Sequence, residues 1–75
     1  MNLILKKEYD DNRKVYLIKD VKISDEIHNL EIGVEFPKRE LIYVMVENDI
    51  PLYKEDFSDI DEKILELIQE AIKEL

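Results

Sequence analysis

The feature that most constrains this fold is a run of side chains, at residues 30–36, that alternate between apolar and acidic around a single glycine. The run reads Leu-Glu-Ile-Gly-Val-Glu-Phe. Successive side chains of a β-strand point to opposite faces, so the pattern predicts a strand with one buried and one polar face. A half-buried strand of this kind is typical of an antiparallel sheet that is covered on one side.

Three further segments have strand character. Residues 3–9 form an extended stretch that ends in a polar turn, and residues 14–24 alternate with an interruption that predicts a bulge at Lys19-Asp20. Residues 41–46 are apolar on both faces, so this strand either lies deep in the sheet or meets a neighbour on each side. Pro51 disfavours another central strand, which leaves residues 50–57 as a connection.

The last segment, from about Asp59 to Leu75, has the periodicity of an amphipathic helix with Ser58 as its N-cap and Asp61 in a capping-box position. Short connections between the strands favour a meander, so the fold class is α+β: a four-stranded antiparallel β-meander covered on one face by a single C-terminal helix (ββββα). The predicted core consists of Leu3, Leu5, Val15, Leu17, Ile32, Val34, Phe36, Val44, Val46, Ile60, Ile64, Ile68, Ala71 and Ile72.

The chain has 75 residues, which is enough for a single small domain spanning residues 1–75. A domain of this size buries only about 60% of the surface that its unfolded chain exposes, so a partner can add substantially to its stability. One helix covers one sheet face and leaves the other face apolar. We therefore expect a homodimer, and its predicted interface comprises Tyr16, Ile18, Tyr43 and Met45.

Charge and composition exclude several classes of function. Residues 1–24 carry six Lys/Arg against four Asp/Glu, whereas residues 25–75 carry five against fifteen, which gives the net charge of −8. An acidic chain repels phosphates, so we expect no direct contact with nucleic acid. The longest uncharged run has six residues, far fewer than the roughly 20 that a membrane-spanning helix needs, so we expect a cytoplasmic protein that does not bind membranes.

The chain contains few of the side chains that commonly act as catalytic nucleophiles or bases. The chain has no cysteine, no threonine, two serines and one histidine, and Ser58 already has a capping role. A single glycine excludes the glycine-rich loops that cradle phosphates. We therefore predict that the protein is not an enzyme and uses no cofactor.

Acidic side chains crowd the connection between the last long strand and the helix. Three interpretations are open: a solvated helix start, a site for a basic protein partner, or a metal site built from hard oxygen ligands. The spacing matches no calcium-binding loop. The predicted partner-binding residues, called here the acidic connection, are Glu47, Asp49, Glu55, Asp56, Asp59, Asp61 and Glu62.

Size and acidity together favour a small non-enzymatic interaction protein. Such a chain would bind and inhibit or regulate a larger protein with a basic surface, in the manner of a phage-type anti-defence inhibitor or an antitoxin-like regulator. One class of partner is a nucleic-acid-binding protein, whose phosphate-binding surface the carboxylates would occupy by imitating a phosphate backbone. The alternative is a homo-oligomer that binds a small molecule or nucleotide between its subunits, where cations of the N-terminal hairpin would meet an anion. Those cations are Lys6, Lys7, Arg13 and Lys14.

Overall fold

The computed structural model describes residues Leu3–Leu75 and confirms the α+β class. Five antiparallel strands form one sheet in the order of the chain: β1 (Leu3–Glu8), β2 (Arg13–Ile23), β3 (Glu26–Glu35), β4 (Glu40–Val46) and the short β5 (Leu52–Tyr53). A 3-10 helix spans Lys54–Asp59, and the helix α1 spans Glu62–Lys73. Four strands are substantial, so the ββββα prediction holds, and the two-residue β5 lies at the sheet edge, where Pro51 is tolerated.

The core lies between one face of the sheet and α1. Ile68, Ala71 and Ile72 of α1 are almost completely buried against strand residues. Ile32, Val34 and Val44 are buried as the alternation predicts, and they are joined by Tyr16, Ile18, Val21, Leu30 and Leu41.

The predicted face of the first half of β2 is wrong. Tyr16 is 8% exposed and Ile18 is 1% exposed, and both belong to the core beneath α1. Val15 and Leu17 therefore point to the opposite face, where Val15 pairs with Gly33 of β3. Tyr16 and Ile18 were predicted to lie in a subunit interface, but they are covered by the chain's own helix.

The cause of this error is a bulge in the middle of β2. Ile18 pairs with Leu30 and Val21 pairs with His28, so two residues of β2 oppose one residue of β3. Because a bulge adds one residue to the strand, the side chains after it exchange faces: positions that would have faced outward face the core, and the reverse. Consequently Ile18 and Val21 both reach the core although they are an odd number of residues apart.

The start of the helix also differs from the prediction. Ser58 lies inside the 3-10 helix, and the N-cap of α1 is Asp61, whose Oδ1 accepts a hydrogen bond from the Lys63 amide at 2.9 Å. A carboxylate at this position satisfies a free amide and complements the helix dipole. The chain thus enters the helix three residues later than the sequence pattern indicates.

Candidate interaction surfaces

The residues of the acidic connection lie on three parts of the chain: the turn after β4, the 3-10 helix and the start of α1. Glu55, Asp56 and Asp59 lie on the 3-10 helix, and Asp61 and Glu62 begin α1. Glu47 follows β4 and accepts a hydrogen bond from Asn29 Nδ2 at 3.3 Å; Asp49 accepts one from the Ile50 amide at 2.7 Å. Across Leu3–Leu75, none of the seven carboxylates lies within 4.0 Å of a cationic side chain.

Three of these acids surround an apolar cleft, called here the acidic cleft. Asp49, Asp59 and Asp61 line its rim, and its volume is about 420 Å³. Ile50, on the loop between β4 and β5, is 77% exposed and also borders it. The walls are formed by side chains of the sheet, of the segment before α1 and of the first turn of α1, namely Ile23, Leu30, Val44, Val46, Leu52, Ile60 and Ile64.

The other four acids are not part of this cleft. Glu55 lines a groove on the opposite side of the sheet. Glu62 is the first residue of α1 and lies on the exposed side of that helix. The seven residues therefore do not form one continuous surface. Within Leu3–Leu75, no three His, Asp or Glu side chains converge closely enough to hold a metal ion.

The second surface is the sheet face that α1 leaves uncovered, called here the open face. Apolar and aromatic side chains occupy its middle: Leu17 and Met45 lie on one cross-strand row, and Val15, Gly33 and Tyr43 lie on the next. Of the four predicted interface residues, only Tyr43 and Met45 lie on this face. Tyr9, Tyr43 and Tyr53 border a groove of about 640 Å³ on this face.

Tyr43 is held across Gly33. The two residues are paired between β3 and β4, and a Cβ atom built on Gly33 would lie only 2.6 Å from Tyr43 Cδ1. Glycine in a strand interior often marks such a close approach. Because Gly33 has no side chain, the Tyr43 ring can occupy the space directly above its Cα atom.

A three-residue polar network, which the sequence analysis missed, crosses the open face. Glu31 Oε2 accepts a hydrogen bond from the Tyr43 hydroxyl at 2.7 Å, and Glu31 Oε1 accepts one from Lys6 Nζ at 2.5 Å. The Glu31 side chain is only 12% exposed. The alternation that points Glu31 outward together with Gly33 is present in the sequence, but the bulge that brings Lys6 opposite is not visible there.

The network changes the acidity of its members. Partial burial opposes ionisation of Glu31, but the hydrogen bonds from Lys6 and Tyr43 outweigh it, and the net effect lowers the pKa of Glu31. Burial and the neighbouring Glu31 carboxylate raise the pKa of Tyr43. The hydrogen bond to Glu31 also raises the pKa of Lys6. Glu31 is thus an ionised group that is fixed in position, with both oxygens occupied.

Most cations proposed to bind an anion already have acidic neighbours. Besides Lys6, Arg13 Nε lies 3.9 Å from Glu35 Oε2, and Lys14 Nζ lies 4.0 Å from Glu8 Oε1. Lys7 Nζ lies 4.6 Å from the centre of the Tyr9 ring, a cation–π arrangement. These pairs leave little uncompensated positive charge for a nucleotide.

His28 lies near the start of β3 with its Nε2 atom 3.2 Å from Glu26 Oε2.

Within Leu3–Leu75, no helix has both the length and the apolar character needed to cross a bilayer. Comparisons with protein-family models, with curated proteins and with solved structures find no match for this chain.

Proposed function

We propose that this chain is a non-enzymatic cytoplasmic interaction protein that binds a larger protein with a basic surface and inhibits or regulates it. The observation that carries the proposal is the acidic cleft, where three carboxylates without cationic partners among the described residues rim an apolar depression. A phage-type inhibitor or an antitoxin-like regulator would have this size and charge.

The two components of the cleft contribute in different ways. Burial of the exposed Ile50 side chain would supply affinity, because removing apolar surface from water contributes about 25 cal/mol per Å², whereas wall residues such as Leu30 and Val44 are already buried and mainly shape the cleft. Asp49, Asp59 and Asp61 would attract a basic partner before contact and would mainly increase the association rate. The fitting partner therefore presents an apolar side chain surrounded by Lys or Arg.

The test compares binding by two variants that carry the same net charge. The first, Asp49→Asn/Asp59→Asn/Asp61→Asn, removes the charge from the cleft, while asparagine at position 61 can still cap α1. The second, Asp11→Asn/Asp25→Asn/Glu66→Gln, removes three acids elsewhere. Partners captured from the host lysate by the wild type are identified and purified, and association and dissociation rates are then measured at several salt concentrations.

We expect the cleft variant to associate at least about tenfold more slowly at low salt, with a small change in the dissociation rate, and the difference should shrink at high salt. Ile50→Ser should instead accelerate dissociation. The control variant should bind at close to the wild-type rate. Equal rates for the cleft variant, the control and the wild type would show that these acids only solvate the helix start.

A further inference from the structure

The open face has its charges separated between its two halves. Its first half, β1 and β2, carries three cations towards the turn that joins these strands, Lys6, Lys7 and Arg13. Lys22 near the other end of β2 faces the same way, but its Nζ lies 4.0 Å from Asp25 Oδ1. Its second half, β3 and β4, carries three anions, Glu31, Glu35 and Glu40. Alternation along the strands and the cross-strand pairings place all six on the side away from α1.

This distribution is self-complementary. Lys6–Glu31 and Arg13–Glu35 already pair across the middle of one copy, so a second copy adds a further counter-ion to these pairs, whereas Lys7, which pairs with no carboxylate within Leu3–Leu75, gains one. A two-fold axis that lies between the two faces and runs parallel to the strands, midway between β2 and β3, places the cationic half of one copy over the anionic half of the other. An isologous interface uses the same patch on both subunits, so every attraction occurs twice. An axis perpendicular to the strands would instead place like charges over each other.

The middle of the open face has the composition of an interface core. Leu17, Tyr43 and Met45 form a partly exposed central apolar band beside Val15, which is itself only 4% exposed, and Tyr53 next to the band is 49% exposed. Tyrosine and methionine are enriched in interfaces, and the charged residues surround the band as an interface rim does. Lys54, after β5, is a cation on the anionic half, but it pairs with Glu40.

The area is also adequate. A standard interface buries about 800 Å² on each partner, which is about 15% of the 5319 Å² accessible surface of this chain. One face of a five-stranded sheet in a molecule of 36 × 26 × 22 Å is of this order.

We propose that the open face binds the open face of a second copy of this chain, with the two-fold axis parallel to the strands. The two sheets form the inside of the dimer, and both helices lie outside. This arrangement leaves the acidic cleft free, because the cleft lies on the α1 side of the sheet. The proposal is therefore independent of the function proposed above.

The test uses charge reversal on the two halves. One variant, Lys7→Glu/Arg13→Glu, makes the first half anionic, and the other, Glu35→Lys/Glu40→Lys, makes the second half cationic. Sedimentation equilibrium measures the dimer dissociation constant of the wild type, of each variant and of an equimolar mixture. Circular dichroism and urea unfolding show whether each variant is folded.

We expect a wild-type dimer, a dissociation constant raised at least about tenfold for each variant alone, and a heterodimer of near wild-type affinity in the mixture. If a double variant does not fold, the single variants Lys7→Glu and Glu40→Lys make the same comparison. A wild type that remains at 9.0 kDa at high micromolar concentration would overturn the proposal. Variants that self-associate as tightly as the wild type would also overturn it.

Discussion

At the scale of single residues, the contact between Gly33 and Tyr43 determines the shape of the open face. Replacing Gly33 by alanine would place a methyl group against the ring of Tyr43, whose hydroxyl is held by Glu31. We expect Gly33→Ala to destabilise the fold by about 1–3 kcal/mol, as overpacking does. Urea unfolding of the wild type and the variant measures this difference.

The matched control is the same substitution in a Tyr43→Ala background. Without the ring, alanine should stabilise the strand by about 0.5–1 kcal/mol relative to glycine, because it loses less conformational freedom on folding. The sign of the effect should therefore reverse. A Gly33→Ala substitution that destabilises both backgrounds equally would show that the Tyr43 contact is not the cause.

Glu31 should make stability depend on pH in a defined direction. Its pKa in the folded state lies below the ordinary value of 4.5, so the folded state favours the ionised carboxylate. The corresponding stability is fully present above the unfolded-state pKa and is lost as the pH falls through the folded-state pKa. We therefore measure the free energy of unfolding in urea between about pH 3 and pH 7. As the pH falls, it should decrease more steeply for the wild type than for Glu31→Gln.

Glu66 provides the comparison for that experiment, because it is exposed on α1 and has no cationic partner among the described residues. The free energy of unfolding of Glu66→Gln should fall at low pH as steeply as that of the wild type. If Glu31→Gln and Glu66→Gln give the same pH profile, the Lys6–Glu31–Tyr43 network does not favour the ionised carboxylate in the folded state.

At the scale of elements, the bulge in β2 has a backbone cost that limits its sequence. Asp20 has a φ angle of 59°, and its amide donates to Asn29 Oδ1 at 3.2 Å. β-branched residues strongly disfavour this left-handed conformation, whereas glycine adopts it freely. We expect Asp20→Val to lower the free energy of unfolding by about 1–2 kcal/mol and Asp20→Gly to change it little. Urea unfolding of both variants checks this, and equal stability of the two would contradict it.

The bulges also explain what could be predicted from the sequence. Strand existence, the meander and the covering helix follow from local periodicity and short turns, and all are present. Which side chains of a strand face the core is predicted from their alternation. This alternation is interrupted wherever the register shifts: at Lys6 in β1, at Lys19-Asp20 in β2 and at Ile42 in β4. Only the second shift has a signal in the sequence, and that signal does not show which side of the bulge keeps the core-facing alternation of Tyr16 and Ile18.

The candidate surfaces were missed in part for the same reason. Asp49 and Asp61 were identified as members of a charge cluster, but the apolar cleft that they border depends on how the β4–β5 loop meets α1, which no local pattern encodes. The sequence pattern predicts Ser58 as the N-cap with Asp61 in support, whereas Asp61 is itself the N-cap. The acidic residues can be recognised in the sequence, but many of the apolar side chains that surround them come from distant parts of the chain and depend on the tertiary packing.

At the scale of the whole molecule, the proposed dimer would make the stability of this small domain depend on protein concentration. When folding and dimerisation are coupled, the midpoint of unfolding rises with protein concentration. A tenfold increase in concentration stabilises the dimer by about 1.4 kcal/mol relative to two unfolded chains. We therefore expect the urea midpoint of the wild type to rise steadily between about 5 and about 500 µM.

The charge-reversed variant Lys7→Glu/Arg13→Glu separates this effect from the intrinsic stability of the subunit. As a folded monomer, it should unfold at a midpoint that is independent of concentration, because unfolding is then unimolecular. Mixing it with Glu35→Lys/Glu40→Lys should restore the concentration dependence, since the opposed halves again attract. A wild-type midpoint that stays constant over the whole concentration range would mean that the core beneath α1 stabilises the chain alone, and that the open face contributes nothing through a second copy.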